Sequence, residues 1–140
     1  MLELVAALLL LSGRASFGVA TVYTAERFAG RPLFCDNFDG KSHVYDARAA
    51  PWAAVDVGLY RSGAVSCGDE LLILFEGGRR LRVRALDAGT FEGYWVKDWP
   101  ELPIVVDLPE HLMGVGSARV MWWNLTGFFD SAGLAQNDGR

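Results

Sequence analysis

Apolar positions in this chain come in short runs, separated by glycine-rich or charged punctuation, and the clearest pattern has a period of two. Leu71-Leu72-Ile73-Leu74-Phe75 and Leu81-Arg82-Val83-Arg84-Ala85 flank Glu76-Gly77-Gly78-Arg79. Two apolar arms about a turn of that composition predict a β-hairpin. The second arm alternates, which predicts Leu81, Val83 and Ala85 on a core face and Arg80, Arg82 and Arg84 on a wet one. Val19 to Tyr23, rich in β-branched and aromatic residues, reads as an earlier strand. Ile104-Val105-Val106 reads as a short buried strand and Arg119 to Trp123 as the last one. Asp107 ends an apolar run, with Pro109 and Glu110 where a first helical turn and a capping box would want them, so it is expected to be a helix N-cap. Gly114 and Gly116 would stop that helix. Glu26 to Pro51 shows no period and is predicted to be a long irregular loop, anchored by Phe28, Phe34, Cys35 and Phe38. Loops of that length in small domains usually serve function. Short strands, one brief helix and no strand–helix alternation predict an all-β fold, a small closed barrel.

Composition narrows the function classes. With 140 residues, 51% hydrophobic and 21% charged, the chain reads as one globular domain. A net charge of -4 and a pI near 5.1 argue against a nucleic-acid partner, although arginines cluster at Arg79, Arg80, Arg82 and Arg84. Val5 to Leu11 is an apolar run too short to span a bilayer but suited to a signal h-region, and Gly13-Arg14-Ala15 supplies small residues for cleavage after Ala15. The stretch before it, Met1-Leu2-Glu3-Leu4, lacks the usual basic residue. The expected division is a signal segment at 1–17, a folded domain at 18–126 and a polar tail at 127–140. Export makes a single disulfide the expected state of the two cysteines, Cys35 and Cys67, the alternative being two buried thiols. His43 and His111 stand alone, so neither a metal site nor a cofactor is expected. The chain is expected to be an exported monomer with no membrane span.

The candidate chemistry lies in two aspartates, Asp87 in Leu86-Asp87-Ala88-Gly89-Thr90-Phe91 and Asp107 in Val105-Val106-Asp107-Leu108-Pro109. Carboxylates on two separate strand ends are what acid–base chemistry on a glycosidic bond requires. The pair resembles the paired motifs of double-psi β-barrel proteins, the rare-lipoprotein-A-like (RlpA-like) family and the expansins. Gly18 to Thr24 resembles that family's opening strand, Phe28-Ala29-Gly30-Arg31-Pro32 its F-x-G-R segment, and Trp52-Ala53-Ala54-Val55 its paired alanines. Leu59 to Gly68 is similar to an expansin segment ending in Cys-Gly, and Ser117-Ala118-Arg119-Val120 to the closing strand. The likeness runs in order over residues 18 to 124. It implies a six-stranded double-psi barrel whose open groove holds Asp87 and Asp107 as the catalytic pair. It implies a cell-wall glycan, peptidoglycan first, as the partner. Thr21 and Tyr23 match groove-lining positions; as alternating residues they share one strand face, which is either the groove or the core.

Two departures bear on activity. Twenty positions separate Asp87 from Asp107, more than the family's spacing, and the extra segment carries Tyr94, Trp95 and Trp99. These rings would either stack on sugars, as aromatic faces do, or pack the insertion onto the barrel. RlpA-like lytic transglycosylases also carry a histidine directly after the alanine pair, where this chain has Val55, which cannot shuttle a proton. Three readings follow: a polysaccharide-binding or wall-remodelling module; a lytic transglycosylase-like or endoglucanase-like enzyme, with Asp87 as acid and Asp107 as its assistant; and a protein-binding or inhibitor barrel.

Overall fold

The computed structural model describes residues 16–23, 30–45, 51–114 and 116–126. Its strands are β1 (Ser16–Tyr23), β2 (Trp52–Asp56), β3 (Glu70–Phe75), β4 (Arg80–Gly89), β5 (Ile104–Pro109) and β6 (Ala118–Asn124). They close into a barrel in the order β1-β5-β2-β4-β3-β6, so every strand has two neighbours. β1 is parallel to β5 and β2 to β4, while the remaining pairs are antiparallel. This is the all-β, six-stranded double-psi barrel that the resemblance implied.

The helices correct the expectation twice. Among the described residues there are two short ones, α1 (Val57–Arg61) and α2 (Glu110–Met113), rather than one. Gly58 hides α1 in the sequence, because glycine disfavours helix interiors; Asp56 caps it, its carboxylate accepting from Gly58 N at 3.1 Å. The cap position of α2 is Pro109, with no side-chain cap, and Asp107 lies inside β5. Pairing with β1 on one side and β2 on the other holds Asp107 extended, where it cannot reach a helix start.

The predicted hairpin forms with Gly77 and Gly78 at φ 101° and 103° in its turn, a conformation glycine adopts without strain. Its inward residues Leu71, Ile73, Phe75, Val83 and Ala85 are buried in the main core, and Leu81 packs against that core. Fully buried alanines at positions 20, 53 and 85 leave room in the small barrel for Trp122. The arginine row lies on the wet face: Arg82 pairs with Glu70, and Arg84 sits 6.0 Å from the Phe38 ring centroid.

The expected irregular loop, over its described part 30–45, holds turns and one isolated bridge between Pro32 and Val44, tied into a ribbon by backbone hydrogen bonds. Gly30 N donates to Tyr45 O (3.1 Å), Tyr45 N to Arg31 O (2.7 Å) and Leu33 N to His43 O (2.8 Å). The ribbon has its own core, in which Leu33, Cys35 and Tyr45 are buried with Trp52 and Leu86. Phe34 and Phe38 remain 55% and 40% exposed while packing on Tyr60 and beside Gly68 respectively, and Phe28 lies outside the described residues. Cys35 is an anchor, disulfide-bonded to Cys67 with a Cα–Cα distance of 5.6 Å. Such bonds belong to oxidising compartments. The expected signal segment through Ala15 and the tail from Gly127 also lie outside the described residues. No described helix is long and apolar enough to cross a membrane.

A disulfide closing a loop with a sequence separation of 32 should stabilise the fold by about 3–4 kcal/mol through the unfolded chain's entropy. The Cys35→Ser/Cys67→Ser double variant is expected to lose about that much in urea denaturation. A loss below about 1 kcal/mol would show that ribbon and barrel hold together without the bond.

Candidate functional site

Both parallel strand pairs carry a register shift close before an aspartate. Ala53 faces Ala85 and Ala54 faces Asp87, so Leu86 is an extra residue in β4. Val19 faces Ile104 and Ala20 faces Val106, so Val105 is an extra residue in β5. Such bulges re-aim the side chains beside them. Strict alternation from Val83 and Ala85 would send Asp87 into the barrel, where an unpaired carboxylate is very costly. The bulge turns Leu86 and Asp87 outward together, Leu86 into the ribbon's core and Asp87 into the cavity beside it.

The site is a row across the outer sheet surface. Thr21 faces Asp107, Asp107 faces Ala54, and Ala54 faces Asp87, so one lateral line runs through β1, β5, β2 and β4. Neighbouring strands lie about 4.8 Å apart, which puts the two aspartate Cα atoms on the order of 10 Å from each other. Between them Ala54 contributes only a methyl group. Above the row is a cavity of about 230 Å³, floored by Tyr23, Ala54, Asp87 and Asp107 and walled by Arg31 and Tyr45 of the ribbon.

The carboxylates have different partners. Asp107 Oδ1 accepts from Thr21 Oγ1 at 3.0 Å. Asp87 Oδ1 accepts from Phe34 N at 2.9 Å, and the Tyr60 hydroxyl donates to the Asp87 carbonyl at 2.8 Å. Burial pushes the Asp107 carboxyl up from 3.8 to about 6, with the Asp87 charge adding to the rise and the Thr21 hydroxyl opposing it. Burial also raises Asp87, against the backbone N–H groups of Phe34 and Ala88, which favour its charged form. Tyr23 is held far above the usual phenol range, first by burial, then by Tyr45 and the two carboxylates; burial raises Tyr45 as well. The two phenol rings pack edge-on against each other with centroids 5.5 Å apart, and both hydroxyl oxygens are buried. The cavity thus combines a carboxyl raised to about 6 with a second carboxyl held by a backbone donor.

The structure brings Tyr23, Asp87 and Asp107 together in the cavity lining, with Thr21 on the same face of β1 as Tyr23, donating to Asp107 without lining the cavity itself. Tyr94, Trp95 and Trp99 do not line the cavity. They sit on the segment between β4 and β5, with Tyr94 71% and Trp95 67% exposed and Trp99 half-buried, so packing onto the barrel does not account for Tyr94 and Trp95. Val55 is buried in the barrel core, and the Asp56 carboxylate accepts from Gly58 N and Phe91 N. Neither supplies the absent histidine's function. Arg31, Tyr45 and the Phe34 backbone amide went unrecognised in the sequence because a polar, aperiodic segment gives no register. Among the described residues no group of three or more His, Cys, Asp or Glu could hold a metal ion.

No family model matches the chain, and no curated protein does. Among solved structures it is similar to the expansin of Clavibacter michiganensis in its apo form, with a TM-score of 0.49 and 23% identity over 79% of this chain. It is also similar to a point mutant of that expansin in complex with cellohexaose, with a TM-score of 0.50 and 21% identity over 79% of this chain. The chain spans half the length of these expansins. At this identity the likeness is one of fold, the barrel described above.

The raised Asp107 has a signed consequence. A carboxyl with a folded-state pKa above its unfolded value destabilises the fold as pH rises from about 4 towards 6, and the penalty is then constant. Asp107→Asn removes the charge and keeps an acceptor for Thr21. Its melting temperature should therefore exceed that of the wild type at pH 8 and converge with it below pH 4, as followed by circular dichroism. A difference independent of pH would show that Asp107 titrates at its ordinary value.

Proposed function

We propose that this chain is an exported, monomeric domain that binds a cell-wall polysaccharide along the row from Thr21 to Asp87, with peptidoglycan as the favoured polymer. The carrying observation is the row itself: a hydroxyl, two carboxylates about two strand spacings apart and a gap over Ala54, walled by Arg31 and Tyr45 of the ribbon. Polar groups flanking an apolar floor suit a sugar ring, which presents hydroxyls at its rim and C–H groups on its face. The shared fold with an expansin mutant in complex with cellohexaose supports glycan binding. Tyr94 and Trp95 supply an exposed outer surface on which further sugar units would rest, with Trp99 beside them. The disulfide and the apolar run before Ala15 favour export.

Binding without cleavage is the reading we favour, because the position that carries a histidine in RlpA-like transglycosylases is a buried valine, Val55. One observation favours a second reading, an active glycosidase or transglycosylase: the Asp107 carboxyl, raised to about 6, can deliver a proton near neutral pH.

Purified protein should sediment with peptidoglycan sacculi and release no anhydromuropeptides detectable by mass spectrometry. Asp87→Asn and Asp107→Asn should each weaken the pull-down while leaving the circular dichroism spectrum unchanged. Release of anhydro-sugars by the wild type, lost in Asp107→Asn, would replace the binding reading with the enzymatic one. Protein recovered from the extracellular or periplasmic fraction should begin near Ser16 on N-terminal sequencing; an intact Met1 on cytosolic protein would sink the export reading.

A further inference from the structure

We propose that Phe34, laid against Tyr60, forms an aromatic subsite at the β4 end of the groove, on which a second sugar ring of the bound glycan stacks. The inference rests on the glycan-binding reading and adds a position and a ring-stacking preference to it.

The argument starts from an edge. β3 begins at Glu70, opposite Arg84, so the part of β4 beyond Arg84 has no β3 partner. Chain from two other segments takes that edge: Gly68 N donates to Ala85 O at 2.8 Å and Cys35 N to Leu86 O at 2.9 Å. Phe34 follows in line, its N–H on the Asp87 carboxylate at 2.9 Å. The row through Thr21, Asp107, Ala54 and Asp87 therefore continues one chain further, to Phe34.

The ring is built as a platform. Its centroid lies 5.0 Å from that of Tyr60 at an interplanar angle of 32°, so one face is packed while the side chain remains among the most exposed apolar groups of the protein, at 55%. Tyr60 is itself fixed, through its hydroxyl, to the Asp87 carbonyl. The backbone beneath the ring is held by the Cys35–Cys67 disulfide. A ring ordered before the ligand arrives loses little entropy on binding. The ligand this selects is an oligosaccharide of β-linked pyranoses, whose C–H faces lie flat on aromatic rings while the neighbouring unit sits over Ala54 between the carboxylates.

The test is isothermal titration calorimetry of the wild type, Phe34→Ala, Phe34→Leu and Phe34→Tyr with cellohexaose and with chitohexaose, alongside thermal melts. Losing one aromatic contact should weaken binding about three- to tenfold. That loss is expected in Phe34→Ala and equally in Phe34→Leu, which keeps bulk but not a ring face, whereas Phe34→Tyr should stay within about twofold of the wild type. Wild-type binding that is unchanged in Phe34→Ala would overturn the subsite and leave glycan binding standing. Full rescue by leucine, with a melting temperature restored in parallel, would assign Phe34 to packing and also overturn it. Failure of the wild type to bind either hexasaccharide would overturn the subsite, while sedimentation with sacculi decides the glycan reading separately.

Discussion

The site exists because the sheet breaks its own alternation in two places. A strand with period two cannot bury Val83 and Ala85 and also present Asp87 outside the barrel. The extra residue Leu86 makes both possible, and Val105 is the matching extra residue in β5, ahead of Asp107. With the shifts in place, the aspartates flank Ala54 from opposite sides, and only a small residue there leaves a gap between them. Removing either bulge would be felt as a charge driven towards the core, so the barrel's packing and the site's geometry are one constraint.

The second dependency runs through the ribbon. Beyond Arg84 the edge of β4 would expose backbone groups, which must find partners if they are to be buried. The ribbon supplies them and at the same time roofs the row, so the carboxylates are about half withdrawn from water. That withdrawal is the leading cause of their raised protonation equilibria. Disulfide, ribbon hydrogen bonds and carboxylate charge are thereby coupled: a change that loosens the ribbon rehydrates Asp107 and moves its titration back towards that of a free side chain.

What could be read from the sequence follows the same division. The hairpin about Gly77-Gly78 was legible because its alternation continues unbroken for several residues. The barrel topology and the two aspartates were legible through a resemblance spread over ordered segments, not through periodicity. The bulges were not, since Leu86 and Val105 look like ordinary members of apolar runs and a register shift leaves no compositional mark. Asp107 followed by Pro109 and Glu110 imitates a helix start, and only pairing on both sides of β5 overrides it. The ribbon escaped because it is held by a disulfide and a handful of backbone bonds instead of a repeating pattern.

The two carboxylates also differ in what protonation does to them. Phe34 N–H can only donate, so that bond favours the charged form of Asp87, although burial outweighs it and raises the carboxyl overall. Thr21 carries a hydroxyl, which donates to the carboxylate and can rotate to accept from the acid, so Asp107 can change protonation state without losing its partner. With Val55 turned into the core and Asp56 committed to capping α1, neither residue after Ala54 can pass a proton onward. Any proton leaving Asp107 goes to a group in the gap over Ala54 or to water.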